Sequence, residues 1–242
     1  MISDNDKLSR QHVLLAPNTP KMRVIVYGAG MLGSWVTHAL ARMVELVDVW
    51  DGGDEVEEGN IGNQAYNELD VGGLKATALQ LSLAGLYVGA RHAMFPDPSR
   101  SLAPDPIPNI VVACADSMAS RRAGAEWCDR RTVPLFIDTR ASGLDATIIT
   151  VLPGEYDSYL AKLPTDDELE GVPCGATGTA FVGMFVAARV ASIIDMWVDH
   201  TPDTIPIRES WNVYRAIPYE IERREVVGAG VIGTNRIHLA SR

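Results

Sequence analysis

The sequence predicts an α/β protein, a Rossmann-like doubly wound sheet, mostly parallel, with antiparallel C-terminal strands. Three observations carry this. Short β-branched runs alternate with segments whose apolar residues recur at helical spacing, as in a parallel sheet covered on both faces. The first run ends in glycines that open a helix. Near residue 140 the alternation stops, and a Thr-, Ile- and Val-rich run follows with no helix before it, which reads as an antiparallel addition.

The elements follow in order. Arg23-Val-Ile-Val-Tyr27 is a buried parallel strand. Leu32, Val36, Leu40 and Met43 place a helix over 32–44, and Leu46-Val-Asp-Val-Trp50 is a second strand. Residues 51–71 form an acidic loop. Leu74, Ala78, Leu81 and Leu86 predict a helix over 73–88, followed by a third strand over 91–95. A proline-rich loop leads to a fourth strand over 110–115, a helix over 119–130 and a fifth strand over 134–138. The antiparallel run is 145–152. Residues 154–173 read as a polar loop containing the acidic sequence Asp166-Asp-Glu. An apolar helix over 177–198 comes next, then strands over 211–216 and 219–227, paired as a hairpin. No repeat divides the chain, so residues 1–242 read as one domain. Its nucleotide-binding core is about 21–140, its crossover loop about 154–176 and its C-terminal extension about 200–242.

Composition narrows the function classes. The chain has 242 residues, 47% hydrophobic and 21% charged, close to globular averages. Its net charge of −10 makes it a poor binder of nucleic acid or anionic membrane. The apolar segment 177–198 resembles a membrane span in length, but Arg189 and Asp195 inside it favour a buried helix. Cys114, Cys128 and Cys174 are too few for a four-thiolate zinc site and odd in number for a disulfide framework, so no zinc is expected. Reduced cysteines and a polar start without a signal peptide point to a cytoplasmic protein. The five histidines, His12, His38, His92, His200 and His238, have no ligand spacing.

The chemistry sits at strand ends. Gly28-Ala-Gly-Met-Leu-Gly33 joins the first strand to a helix. Glycines at Gly28, Gly30 and Gly33 permit a tight turn and close approach of backbone to phosphate, and the helix N-terminus favours negative charge. Asp51 ends the second strand, where a carboxylate accepts hydrogen bonds from ribose hydroxyls. Asp116 follows the fourth strand and faces the same crevice. It is either a ligand for Mg²⁺ or a cap for the helix beginning near Met118. Lys75 stands in the first turn of its helix, where the dipole disfavours a cation; it is either an ordinary solvated lysine or one with a purpose beyond solubility.

Taken in order, Ser9-Arg-Gln11, the glycine turn, Asp51, Asn60-Ile-Gly-Asn-Gln64, Gly72-Gly-Leu-Lys75 and Asp116-Ser-Met-Ala-Ser-Arg121 resemble the ThiF/MoeB/HesA family, bacterial relatives of ubiquitin-activating enzymes. The resemblance spans about residues 8–198. It implies an ATP-dependent adenylyltransferase that activates the C-terminal carboxylate of a small ubiquitin-like protein and releases pyrophosphate. It further implies that Asp51 binds ribose, that Asn60, Gln64 and Lys75 serve the nucleotide, and that Asp116 ligates Mg²⁺. Arg10 would reach the triphosphate from the second subunit of a homodimer. Cys174 stands where relatives often carry a cysteine, covalently engaged in some and dispensable in others. Asn63 occupies a position where the family commonly has arginine, and Arg91, Arg121 and Arg122 are conceivable substitutes. Two other readings remain: an NAD(P)-dependent oxidoreductase, which explains the glycine turn and Asp51 alone, and a non-catalytic nucleotide-binding module.

Overall fold

The computed structural model describes residues 11, 14–97, 107–169, 178–199, 205–227 and 230–238. Among the described residues, nine strands form one sheet in the order β3-β2-β1-β4-β5-β6-β7-β8-β9. The first five, β1 (Arg23–Tyr27), β2 (Leu46–Asp51), β3 (Val88–His92), β4 (Ile110–Ala113) and β5 (Leu135–Ser142), are mutually parallel. Every side chain of β4 is buried, as a strand covered on both faces requires. β6 (Asp145–Val151), β7 (Pro206–Asn212), β8 (Ile217–Val227) and β9 (Gly230–His238) continue the sheet antiparallel. Gly143, with a φ of +59°, sits in the short turn that joins β5 to β6.

Two cores flank the sheet. On one face α1 (Met31–Leu40), α2 (Lys75–Ser82) and α5 (Ala180–Asp199) bury Leu32, Val36, Leu79, Val186 and Ile194 against alternate residues of the strands. On the other, α3 (Met118–Arg131) and α4 (Tyr156–Lys162) cover Ile25, Val111 and Phe136. The sheet is thus doubly wound, as expected.

The apolar helix α5 is a core element. A Cβ on Gly183 would lie 2.4 Å from the Trp35 ring, so glycine is what lets α5 cross α1 this closely. The two charges in its interior are satisfied within the fold. Arg189 grips the buried Glu209 with Nε at 2.6 Å and Nη2 at 2.5 Å, and Asp195 accepts from the Ala16 N–H and the Thr19 hydroxyl.

Several boundaries differ from the sequence reading; α1 ends at Leu40 rather than at 44, and β5 runs on to Ser142 rather than ending at 138. The helix expected over 73–88 is only Lys75–Ser82: Gly85, at a φ of +93°, turns the chain, and β3 starts at Val88 rather than at 91. Leu81, counted toward its apolar face, is exposed, while Ala76 and Leu79 are buried. The stretch 154–173, read as a loop, contains α4, whose Tyr156 and Tyr159 are buried at helical spacing, with the C-cap residue Leu163 buried beside them. The late strand expected over 211–216 is β7, Pro206–Asn212; Ala216, at a φ of +53°, belongs to the turn before β8. β9 had no counterpart in the sequence reading.

Candidate active site

The chain leaves β1 for β2 on one side of the sheet and returns to β4 on the other, so β1 and β4 flank the topological switch point. Open α/β sheets bind their ligands there, beyond the carboxyl ends of the strands. A crevice of about 360 Å³ occupies this place, lined by Gly28, Gly30, Asp51, Lys75, Asp116 and Ser120, with Trp50, Met94 and Phe95 as an apolar wall.

The glycines have separable tasks. Gly28 has a φ of +86°, and a Cβ there would lie 2.7 Å from the Cys114 carbonyl. A Cβ on Gly33 would lie 1.7 Å from the Gly28 oxygen, so Gly33 lets α1 pack on its own turn and does not itself line the crevice. A Cβ on Gly30 would meet nothing within 4 Å. Gly30 is the N-cap of α1 and offers no side-chain cap, which leaves the first N–H groups of the helix for an anion.

Asp51 is buried and shapes the turn: its Oδ2 accepts from the Ala29 N–H at 2.8 Å and its Oδ1 from the Asp54 N–H at 3.1 Å. A carboxylate has about four acceptor sites, so room for ribose hydroxyls remains. The Tyr66 hydroxyl donates to the Ala29 carbonyl at 2.7 Å, which ties the acidic loop to the glycine turn. Burial, then Asp51, raises its pKa far above the usual tyrosine value, so it stays a donor. Lys75 opens α2 and pairs with Asp54 at 3.4 Å. Among the described residues lining the crevice it is the one cation.

Asp116 is not the cap of α3. That place belongs to Ser117, whose Oγ accepts from the Ser120 N–H at 3.1 Å, leaving the exposed Asp116 carboxylate facing the crevice. Among the described residues no group of three metal-ligating side chains forms a cage. A single open carboxylate beside this crevice fits Mg²⁺, which takes one or two protein carboxylates and completes its shell with substrate oxygens and water. Cys114 also lines the crevice, 3.3 Å from the Thr139 hydroxyl; burial pushes its thiol up to about 11, so it is a neutral packing group.

Gly28, Gly30, Asp51, Lys75 and Asp116 therefore converge as expected. Asn60 and Gln64 do not line the crevice: the Asn60 Oδ1 accepts from the Glu57 N–H at 3.0 Å within its own 3₁₀ turn, and the Gln64 Oε1 is buried without a hydrogen-bond partner. Arg10 and Cys174 lie outside the described residues. None of the three candidate replacements for the arginine at Asn63 reaches the crevice. Arg91 lies 3.9 Å from Asp48, Arg122 donates to the Leu160 and Leu163 carbonyls, and Arg121 is buried. Asn63 itself donates to the Gly178 carbonyl at 3.3 Å and anchors the approach to α5.

Sequence reasoning missed the support beneath Asp116. Arg121 is bound to the buried Asp138 and donates to the carbonyls of Thr139, at 2.8 Å, and Ala115. Asp138 also accepts from Arg140 at 2.6 Å and from the Tyr159 hydroxyl at 2.9 Å. Burial alone would raise its pKa; Arg121 and Arg140 prevail and hold it below the usual carboxylate value. The signal available in sequence was Arg121 itself, closing the run Asp116–Arg121, with its partner invisible.

Several solved structures share this fold. Escherichia coli MccB with ATP is 18% identical at a TM-score of 0.64, covering 97% of this chain and 71% of that one. The microcin C7 biosynthetic enzyme MccB with N-formylated MccA is 17% identical at 0.65, covering 97% and 72%. PaaA is 17% identical at 0.68, covering 90% and 73%. No curated protein sequence matches the chain. Residues 18–229, most of its length, match the ThiF family, and the chain belongs to that family.

Proposed function

We propose that this chain is an ATP-dependent adenylyltransferase acting on a polypeptide carboxylate, the C-terminus of a small ubiquitin-like protein. The observation that carries the reading is the convergence of an uncapped glycine turn, Asp51, Lys75 and an unengaged Asp116 in one crevice at the switch point. Family membership and the likeness to MccB, solved with ATP and with MccA, support it.

Each residue has a defined task. The glycine turn and the start of α1 bind phosphate oxygens through N–H groups. Asp51 orients the ribose, and Lys75 neutralises phosphate charge. Asp116 would hold Mg²⁺, which supplies further charge neutralisation. The substrate carboxylate, already ionised, attacks the α-phosphorus; the new bond is carboxylate oxygen to phosphorus, and the broken one releases pyrophosphate. No general base is needed, so alignment and charge neutralisation suffice. One lysine is little cation for a triphosphate, which motivates a homodimer in which Arg10 enters from the second subunit.

ATP–pyrophosphate exchange, driven by a small protein ending in Gly-Gly, tests the reading. Exchange should require Mg²⁺ and vanish in Asp116→Ala without loss of fold. Mixing Arg10→Ala with Asp116→Ala subunits should restore one intact site per heterodimer. Tight binding of NAD without measurable affinity for Mg·ATP would overturn the assignment.

A further inference from the structure

The acidic sequence after α4 has a place in the site that nucleotide binding does not account for. Asp166 reaches the start of α3, where its Oδ1 accepts from the Met118 N–H at 2.7 Å and its Oδ2 from the Ala119 N–H at 3.1 Å. The Ser117 hydroxyl takes the Ser120 N–H, so Asp166 completes the capping of the first turn. This turn begins two residues after Asp116. The segment is fastened nearby as well: Arg122 of α3 donates to the Leu160 and Leu163 carbonyls at 3.3 and 3.1 Å, and Tyr159 of α4 donates to Asp138.

Resting on the adenylation reading, we propose that Asp166 is a positioning residue for Asp116. Two consequences follow from its bidentate cap. The β4–α3 turn is held from outside, so the Asp116 carboxylate meets the metal in one orientation. A second helix N-terminus beside the crevice is also filled by a carboxylate. Left open, it would compete with α1 for the triphosphate, since free N–H groups and the helix dipole bind phosphate wherever they are offered. Asp166 thus leaves the start of α1 as the phosphate site.

The test uses the full chain with Asp166→Ala and Asp166→Asn, the latter keeping one acceptor oxygen. Amide hydrogen exchange should quicken at least tenfold at Met118 and Ala119 in the alanine variant and stay at wild-type rates in β1 and β4. The Mg²⁺ concentration for half-maximal pyrophosphate exchange should rise at least fivefold and kcat should fall, with Asp166→Asn between. An arm without turnover uses Mn²⁺ alone: paramagnetic broadening of amides around Asp116 should need at least fivefold more Mn²⁺ in Asp166→Ala. Faster amide exchange with unchanged Mg²⁺ and Mn²⁺ dependence would reduce Asp166 to a helix cap and overturn the proposal. A wild-type chain without pyrophosphate exchange would instead overturn the adenylation reading, and the Mn²⁺ arm would still decide the positioning role.

Discussion

Arg121 joins Asp138 inside the protein and, through the same guanidinium, holds the carbonyl of Ala115, the residue before Asp116. The side chains are 5% and 0% exposed, so the pair is desolvated on all sides. A structural ion pair is thereby bonded directly to the turn that carries a candidate metal ligand. Such pairs matter more when one partner is removed than when both are, because the survivor is left buried without its counter-charge.

Arg121→Leu should therefore lose about 3–5 kcal/mol of unfolding free energy in urea titrations. Asp138 would keep Arg140 and Tyr159, which places the loss toward the lower end. A change within the ~0–1 kcal/mol of a surface pair would show that the network does not act as a buried pair.

Gly28 and Gly30 should separate folding from binding. Gly28→Ala forces a side chain into a φ of +86° and against the Cys114 backbone, so the thermal midpoint should fall by many degrees. Gly30→Ala meets no atom within 4 Å and should keep the wild-type midpoint. Its methyl group would stand at the crevice, where backbone must approach phosphate, and ATP affinity measured by calorimetry should fall about tenfold, or roughly 1.4 kcal/mol. Equal behaviour of the two variants would contradict this division of labour.

The parallel half of the sheet was legible, apart from the place of the half-exposed edge strand β3, because its inner strands carry a local signal. Val24–Val26 and Ile110–Val112 are unbroken apolar runs, and α1 repeats its apolar residues without interruption. Gly28, Asp51, Lys75 and Asp116 were legible because the fold brings the ends of successive strands and the first turn of α2 together, whatever lies between. Asn60 and Gln64 were not, because their places depend on the internal bonding of a long loop. Asp138 was hidden for a related reason. It reads as the polar end of an apolar strand, and only the arrival of Arg121 and Tyr159 from separate helices gives it a role. α4 was the avoidable miss, for its buried tyrosines are spaced three apart in a segment read as polar.

His38 gives a pH dependence whose sign follows from its surroundings. It lies in the last turn of α1, and burial, then the charge of Arg42, lowers its pKa from the usual 6.5. The unfolded chain therefore binds the proton at a higher pH than the folded one. Stability from the neutral ring is fully present above pH 6.5 and is lost as pH falls through the lower folded value. The ring is half-buried, so solvent moderates the size of the effect. Urea midpoints measured from about pH 8 to about pH 5 should decline more steeply in the wild type than in His38→Gln, which cannot take up the proton. The two proteins differ at this side chain alone, so the difference between the curves reports on the histidine. Parallel curves throughout this window would mean that the ring carries its proton equally well in the folded and unfolded chains.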